Sequence, residues 1–367
     1  MKWALVGLIT LHALVHLMGP AKAFGWAELP QLAHPMSRTA GVAWLVASVA
    51  LLSAATSFAL SVRHWWVIGL VAVVCSQAVI ASAWGDAKFG TLPNVILLLV
   101  VVWGFMSQGP PSFRAEYREA VASRLVHVPT TPALGERDLA ALPEPVQRYL
   151  RVSGAVGRPR AHHVRAAWRG RIRAGPDDPW MEFRAEQWNF PAEPARFFLM
   201  NARRAGLPVD VLHAYRGGEA SMRVRLLSMI PLVDASGPQL TKAETVTLLN
   251  DMVLLAPSAL AGPDVRWEAV DDRSARARYR VGSIEVGAVL HFNAVGELVD
   301  FVSDDRLAAS PDGAEFQQRR WSTPVGDYRD LGGLHLMSRG EGRWHTPEGG
   351  YDYIELELLE LEVNGGL

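Results

Sequence analysis

Residues 240–256 read LTKAETVTLLNDMVLLA, the one long helical pattern in a second half otherwise written as strands. Thr241 followed three positions later by Glu244 has the form of a capping box and predicts a helix over residues 241–256. At about 100° per residue, Glu244, Thr247, Asn250 and Asp251 fall on one polar stripe. Val246, Leu248, Leu249, Met252, Val253, Leu254 and Leu255 cover the rest of the circumference. A helix lying on one face of a sheet needs only about 100° of apolar surface. This one offers more, so burial on two sides is expected, and what the second side touches is the functional question.

Around that helix the hydrophobic period is two. Candidate strands are 164–174, 180–190, 196–203, 208–216 and 220–227 before it. After it come 265–270, 275–281, 284–292, 298–303, 315–323, 334–340 and 351–363. Val281-Gly-Ser-Ile284 and Asn293-Ala-Val-Gly296 are hairpin signals, and many short strands joined by hairpins make antiparallel sheet. A series of strands interrupted once by a helix predicts a strongly curved open sheet or incomplete barrel with the helix covering its mouth. A closed barrel or sandwich plugged by the helix is the alternative. In element order the plan is similar to the LolA/LolB-like lipoprotein carriers, a resemblance that implies a concave sheet holding acyl chains.

The first 106 residues are written differently, with very few charges and four apolar runs at about 3–18, 41–62, 65–84 and 92–106. A span needs about 20 apolar residues, so four transmembrane helices are expected, packed as an α-helical membrane bundle. Reading the first run as a signal peptide ending at Ala21-Lys22-Ala23 is the competing interpretation. With four spans, Lys2, Arg63, Arg114, Arg118 and Arg124 share one side of the membrane, and Lys22, Arg38 and Lys88 the other. That bias favours a cytoplasmic second half of a multi-pass inner-membrane protein. His12 and His16 are four apart on one helix face, with Gln77 expected at the depth of His12. Lys22, Asp86 and Lys88 are expected together at the far ends of the first and third runs. Ionisable groups in a span usually face the bundle interior. This cluster is therefore either a site or a set of neutral histidines bonded to Gln77, Ser76 or Ser82 that holds helices together.

Three motifs resemble those of a bacterial membrane-protein family defined as a domain of unknown function. They are LHALVHLMGPAKAFGWAELPQL at 11–32, WGDAKFGTLPN at 84–94 and LPEPVQRYLRVSG at 142–154. The resemblance implies an architecture and no activity. The chain then divides into a transmembrane domain, 1–107, a linker with a short amphipathic helix, 108–141, and a β-rich domain, 142–367. SQGPPS at 107–112 ends the fourth apolar run.

Composition narrows the function. The formal net charge of −1 over 367 residues argues against a nucleic-acid partner. A single cysteine, Cys75, excludes disulfides and thiolate metal sites within one chain. There is no G-x-S-x-G, P-loop, H-E-x-x-H or G-x-G-x-x-G after a strand. Asp271-Asp272-Arg273 and Asp304-Asp305-Arg306 sit at strand ends and read as solvated turns. His213, His291, His335 and His345 occupy separate strands, and His162-His163 are neighbours that point apart, so no metal or cofactor site is expected. Aromatic residues are spread over most strands. They make either a large core or an apolar pocket closed by the helix, with Leu248, Met252, Leu255, Trp188, Trp267 and Trp321 as lining. Arg184, Arg196, Arg223 or Arg278 would meet an acidic headgroup. The expected function is a membrane-anchored, non-enzymatic protein that binds an apolar or lipid-like ligand, with the bilayer as partner. The alternatives are a membrane-embedded enzyme or transport component using the His12/His16/Asp86/Lys88 cluster, or a structural or interaction module without ligand.

Overall fold

A computed structural model describes residues 2–126, 131–310 and 313–366. Of the linker expected at 108–141, residues 127–130 lie outside this range. The chain forms two compact units, Met1–Ala115 and Glu116–Leu367.

Four stretches are long and apolar enough to cross a membrane, all within the first unit except the end of the last: Lys2–Ala23, Arg38–Ala59, Trp65–Ser82 and Trp84–Leu125. They comprise helices α1 (Lys2–His16), α2 (Met18–Ala23), α3 (Arg38–Ala59), α4 (Trp65–Ser82), α5 (Trp84–Ala87), α6 (Thr91–Gln108) and α7 (Phe113–Leu125). Helix α1 packs on α3, α3 on α4 and α4 on α6. Small residues let the backbones approach: a Cβ on Gly19 would meet the Trp44 ring at 2.4 Å. Ala13, Ala47, Ala54 and Ala72 are buried at such contacts. The outer surface keeps Trp3, Leu11, Val46, Val71 and Leu99 exposed, which suits a hydrocarbon solvent.

The second unit continues α7 and adds α8 (Glu136–Leu139) and α9 (Glu144–Val152). Strands β1 (Val164–Ile172), β2 (Met181–Phe190), β3 (Ala195–Arg204), β4 (Leu207–Arg216), β5 (Glu219–Leu226) and β6 (Ile230–Ser236) then form an antiparallel meander. Helix α10 (Pro238–Leu255) leads to a second meander of β7 (Val265–Asp271), β8 (Ser274–Val281), β9 (Ile284–Phe292) and β10 (Leu298–Ser303). The remaining strands are β11 (Leu307–Ala309), β12 (Phe316–Gln318), β13 (Trp321–Ser322), β14 (Val325–Gly326), β15 (Arg329–Leu331), β16 (Leu334–Leu336), β17 (Arg339–Thr346) and β18 (Gly349–Val363).

One 14-stranded sheet results, in the order β6-β5-β4-β3-β2-β1-β18-β17-β13-β10-β9-β8-β7, with β14 also on β17. Long β18 joins the two meanders at its centre, pairing with β1 on one side and β17 on the other. Bulges at Ala167/Trp168 and Gly342/Arg343 add local bend. Helix α10 connects the two edge strands and touches β5 and β6 near one edge and β9 near the other. The wings therefore curl toward one helix, and the sheet stays open because β6 and β7 do not pair. Both expected hairpins form, with Gly282 at φ 58° and Gly296 at φ 97°.

The strands expected at 315–323 and 334–340 each divide, into β12 and β13 and into β16 and the start of β17. Strand β6 was absent from the alternation pattern, because its edge position leaves Ile230 and Leu232 exposed and Pro231 interrupts the run. The capping box does not form. Gly237, at φ 103°, precedes a helix that starts at Pro238, and Thr241 Oγ1 instead donates to the Gly237 carbonyl and accepts from Ala220 N–H.

Candidate functional site

The concave face of the sheet is built around α10, fifteen of whose eighteen residues are buried. Leu248, Met252 and Leu255 on one flank and Val246, Leu249 and Val253 on the other are each at most 5% exposed. Burial on two sides is therefore what the structure has. The polar stripe is buried as well: Glu244, Thr247, Asn250 and Asp251 are 4%, 9%, 5% and 6% exposed.

Buried charges need partners, and the two wings of the sheet supply them. Arg306, from the segment after β10, places both terminal nitrogens 3.1 Å from Glu244 Oε1. Arg196, from β3, donates through Nε to Asp251 Oδ2 at 2.7 Å and lies 3.7 Å from Glu244 Oε2. His213 of β4 stands 3.8 Å from the same carboxylate. Gln187 Nε2 donates to Asp251 at 2.7 Å, and Gln187 Oε1 accepts from Trp168 Nε1 at 3.1 Å. Thr323 donates to Asn250 at 2.8 Å, Tyr215 pairs with Thr245 at 3.1 Å, and Tyr149 donates to the Val253 carbonyl at 2.6 Å. Thr247 Oγ1 is the one polar side-chain atom of α10 that is buried without a hydrogen-bond partner among the described residues.

The two carboxylates shift in opposite directions. Burial pushes Glu244 upward, but Arg306, His213 and Arg196 overcome it and hold the carboxyl well below its ordinary range. Burial raises Asp251, with Arg196 opposing and Glu244 adding to the rise. Such pairs occur at catalytic centres and in structural ion networks alike.

The residues proposed from sequence divide between two faces. Trp321 is buried in the same core as α10 and lies under Arg306, 5.2 Å from its ring. Trp267 is half-buried against that core and donates to the Leu260 carbonyl at 3.0 Å. Trp188 is elsewhere. Gln187 on β2 points at α10, so Trp188 projects from the opposite face, against His163 and Phe190. On that outer face Arg124 of α7 covers the rings of Phe190 and Phe197, and Tyr117 donates to Glu186.

Of the candidate arginines, only Arg196 reaches the α10 stripe. Arg184 lines a groove of about 1030 Å³ together with Arg169, Arg171, Glu355 and Glu357. Arg223 pairs with Glu116 at 2.6 Å, and Arg278 with Glu268 at 3.0 Å. Asp304 is solvated as expected, whereas its neighbour Arg306 is not. The four separate histidines find separate partners in Glu244, Ser274, Glu297 and Ser322. Among the described residues no group of three or more His, Cys, Asp or Glu could hold a metal.

In the helical unit the histidines belong to a closed hydrogen-bond chain. His12 Nε2 meets Ser76 Oγ at 3.2 Å and Asn94 Oδ1 at 3.1 Å. His16 Nε2 meets Ser76 Oγ at 2.9 Å, and its Nδ1 meets the His12 carbonyl at 2.9 Å. Asn94 Nδ2 donates to Gln77, which donates to Thr91. The charged residues have other partners. Lys22 donates to the Leu32 carbonyl, Asp86 accepts from His34, and Lys88 lies over the Phe89 ring. These bonds link α1, α4 and α6.

Fold and site define a class: an open antiparallel sheet wound round a buried, ion-paired helix, joined to a unit of apolar helices. The profile of the family of unknown function DUF6544 matches residues 132–356, and the chain belongs to that family. The motif at 142–154 falls inside this match, and the motifs at 11–32 and 84–94 lie outside it. None of the curated proteins matches the chain. Among solved structures it is similar to a protein from Vibrio parahaemolyticus described as an outer membrane lipoprotein-sorting protein domain. That match has 12% identity and a TM-score of 0.33, and covers 56% of this chain and 86% of the other. A LolA superfamily protein from Nitrosomonas europaea matches at 12% identity and TM-score 0.32, covering 61% and 93%. A DUF1329 family protein from Desulfovibrio piger matches at 13% identity and TM-score 0.33, also covering 61% and 93%. Similarity at this level assigns neither a ligand nor an activity to this chain.

Proposed function

We propose that the protein is a membrane-anchored, non-enzymatic binding protein whose sheet shelters an apolar or lipid-like ligand, with α10 as the removable occupant of the ligand's space. The supporting observation is the charged seat of α10. Two carboxylates on the helix meet one arginine from each side of an open sheet. A buried ion pair is often no more stabilising than apolar residues of the same volume. A permanent plug gains nothing from such a stripe, whereas a helix that leaves its seat rehydrates the charges and recovers their cost. Gly237 at φ 103° provides a pivot at one end, and Pro257 follows the helix at the other. With α10 displaced, the exposed wall would include Phe183, Phe198, Met200, Leu290 and Phe301, with Gln187 and Arg196 as polar anchors.

A filled-core interaction module is the second reading, favoured by the burial of both apolar flanks of α10 in the seated state. One experiment separates the two. Full-length protein is purified from membranes, its mass measured under native conditions, and its uptake of a fluorescent fatty acid titrated. The binding reading expects either a co-purifying lipid or uptake that rises in the Glu244→Gln/Asp251→Asn variant. A clean protein mass and no uptake by either form, with unchanged near-ultraviolet circular dichroism, leaves the filled core. The Lys/Arg bias supports an inner-membrane protein with its sheet domain in the cytoplasm, and reporter fusions after residue 367 would report the opposite side if that bias misleads.

A further inference from the structure

The first wing of the sheet ends in an apolar tip that the core does not use. Hairpins β3–β4 and β5–β6 turn side by side: Arg204 pairs with Leu207, Leu226 with Ile230, and Leu227 N–H donates to the Pro208 carbonyl at 2.9 Å. At these turns Leu207, Met229, Ile230 and Leu232 are 43%, 37%, 49% and 42% exposed. Leu227 and Ser228 hold φ of 55° and 60°, a conformation that side-chain-bearing residues rarely adopt outside turns rich in Asn and Gly. The Ser228 hydroxyl donates to Asp210, which ties this turn to β4. Behind the tip stand Arg203, Arg204 and Arg225, with Asp210 opposite Arg225.

Apolar side chains on a basic collar fit a bilayer surface, the former entering the acyl boundary and the latter meeting anionic headgroups. A second copy adding a strand to β6 is disfavoured, because Pro231 removes a donor from that edge. The same chain carries four helices apolar enough to cross a bilayer. We propose that this two-hairpin tip docks into an anionic lipid bilayer. The proposal is independent of whether the concave face holds a ligand.

The test uses the full chain with its one cysteine replaced, Cys75→Ala, and an environment-sensitive nitrobenzoxadiazole label on Ile230→Cys. Val295→Cys, at a turn position 62% exposed, is the control. Both are reconstituted in phosphatidylcholine/phosphatidylglycerol liposomes with and without brominated acyl chains. Docking predicts that the label at 230 shifts to the blue and is quenched by brominated lipid more strongly than the label at 295. It also predicts that Arg203→Glu with Arg204→Glu reduces that quenching. Equal quenching at 230 and 295 overturns the proposal, and so does a blue shift without quenching, which would put the tip against protein.

Discussion

At the scale of single residues, Glu244 is the most consequential position. Its side chain is 6% exposed and that of Arg306 is 11% exposed, so neither charge can fall back on water. Arg306→Met strands a buried carboxylate and should lower stability by about 3–5 kcal/mol in a urea titration. Adding Glu244→Leu to that variant should recover most of the loss, because two apolar side chains then replace the pair. The pH dependence follows from the depressed carboxyl. A group whose folded pKa lies below its unfolded value of 4.5 stabilises the fold above that value and loses the contribution as pH falls through the folded one. The stability gap between the wild type and Glu244→Gln should therefore narrow as pH falls below the unfolded value of 4.5. Asp251 works in the opposite sense. Its raised pKa means that stability falls as pH rises from the ordinary value of 3.8 through the folded one, so Asp251→Asn should remove that slope.

At the scale of elements, α10 and the helical bundle use polar residues in different ways. Leu249 and Val253 are fully buried. Leu249→Ala should cost about 2–5 kcal/mol, measured by chemical denaturation and set by how far the surrounding side chains collapse. In the bundle, Ser76 bridges both histidines and Asn94, yet hydrogen bonds between membrane helices average only about 0.6 kcal/mol. Ser76→Ala should accordingly lower thermal stability in detergent modestly, without unfolding the bundle. The pattern of residues 240–256 foretold a helix buried on two sides, because an apolar arc that wide has no other use. It could not foretell a buried polar stripe, because periodicity records which residues share a face and not what that face meets. Arg196 and Arg306 are 110 residues apart in sequence (306 − 196), and the only local hint was an arginine beside two aspartates that reads equally well as a turn.

At the scale of the whole molecule, the decisive feature is that the sheet curls without closing, with edges at β6 and β7. Exposed ladder pairs on its outer face, such as Arg169–Glu357 and Arg171–Glu355, contribute little singly, so Glu355→Gln should shift the denaturation midpoint only slightly. The edge at β6 is where the apolar tip sits, and its exposure explains why the alternation rule missed that strand. Trp188 shows the related failure of composition. An aromatic residue in a strand is known to be on one face or the other, but the choice depends on where the strand's neighbours place their own side chains.

The sequence by itself determined the four apolar helices, the antiparallel character of the second half, its hairpins and the one interior helix. Each of these follows from local periodicity and turn chemistry. Tertiary structure alone decided that Glu244 and Asp251 are buried against arginines from opposite wings, that Trp188 faces away from the helix, and that the histidines close a circuit with Ser76 and Asn94. Those outcomes depend on long-range pairing, which sets the dielectric around a charge and the partner across a face.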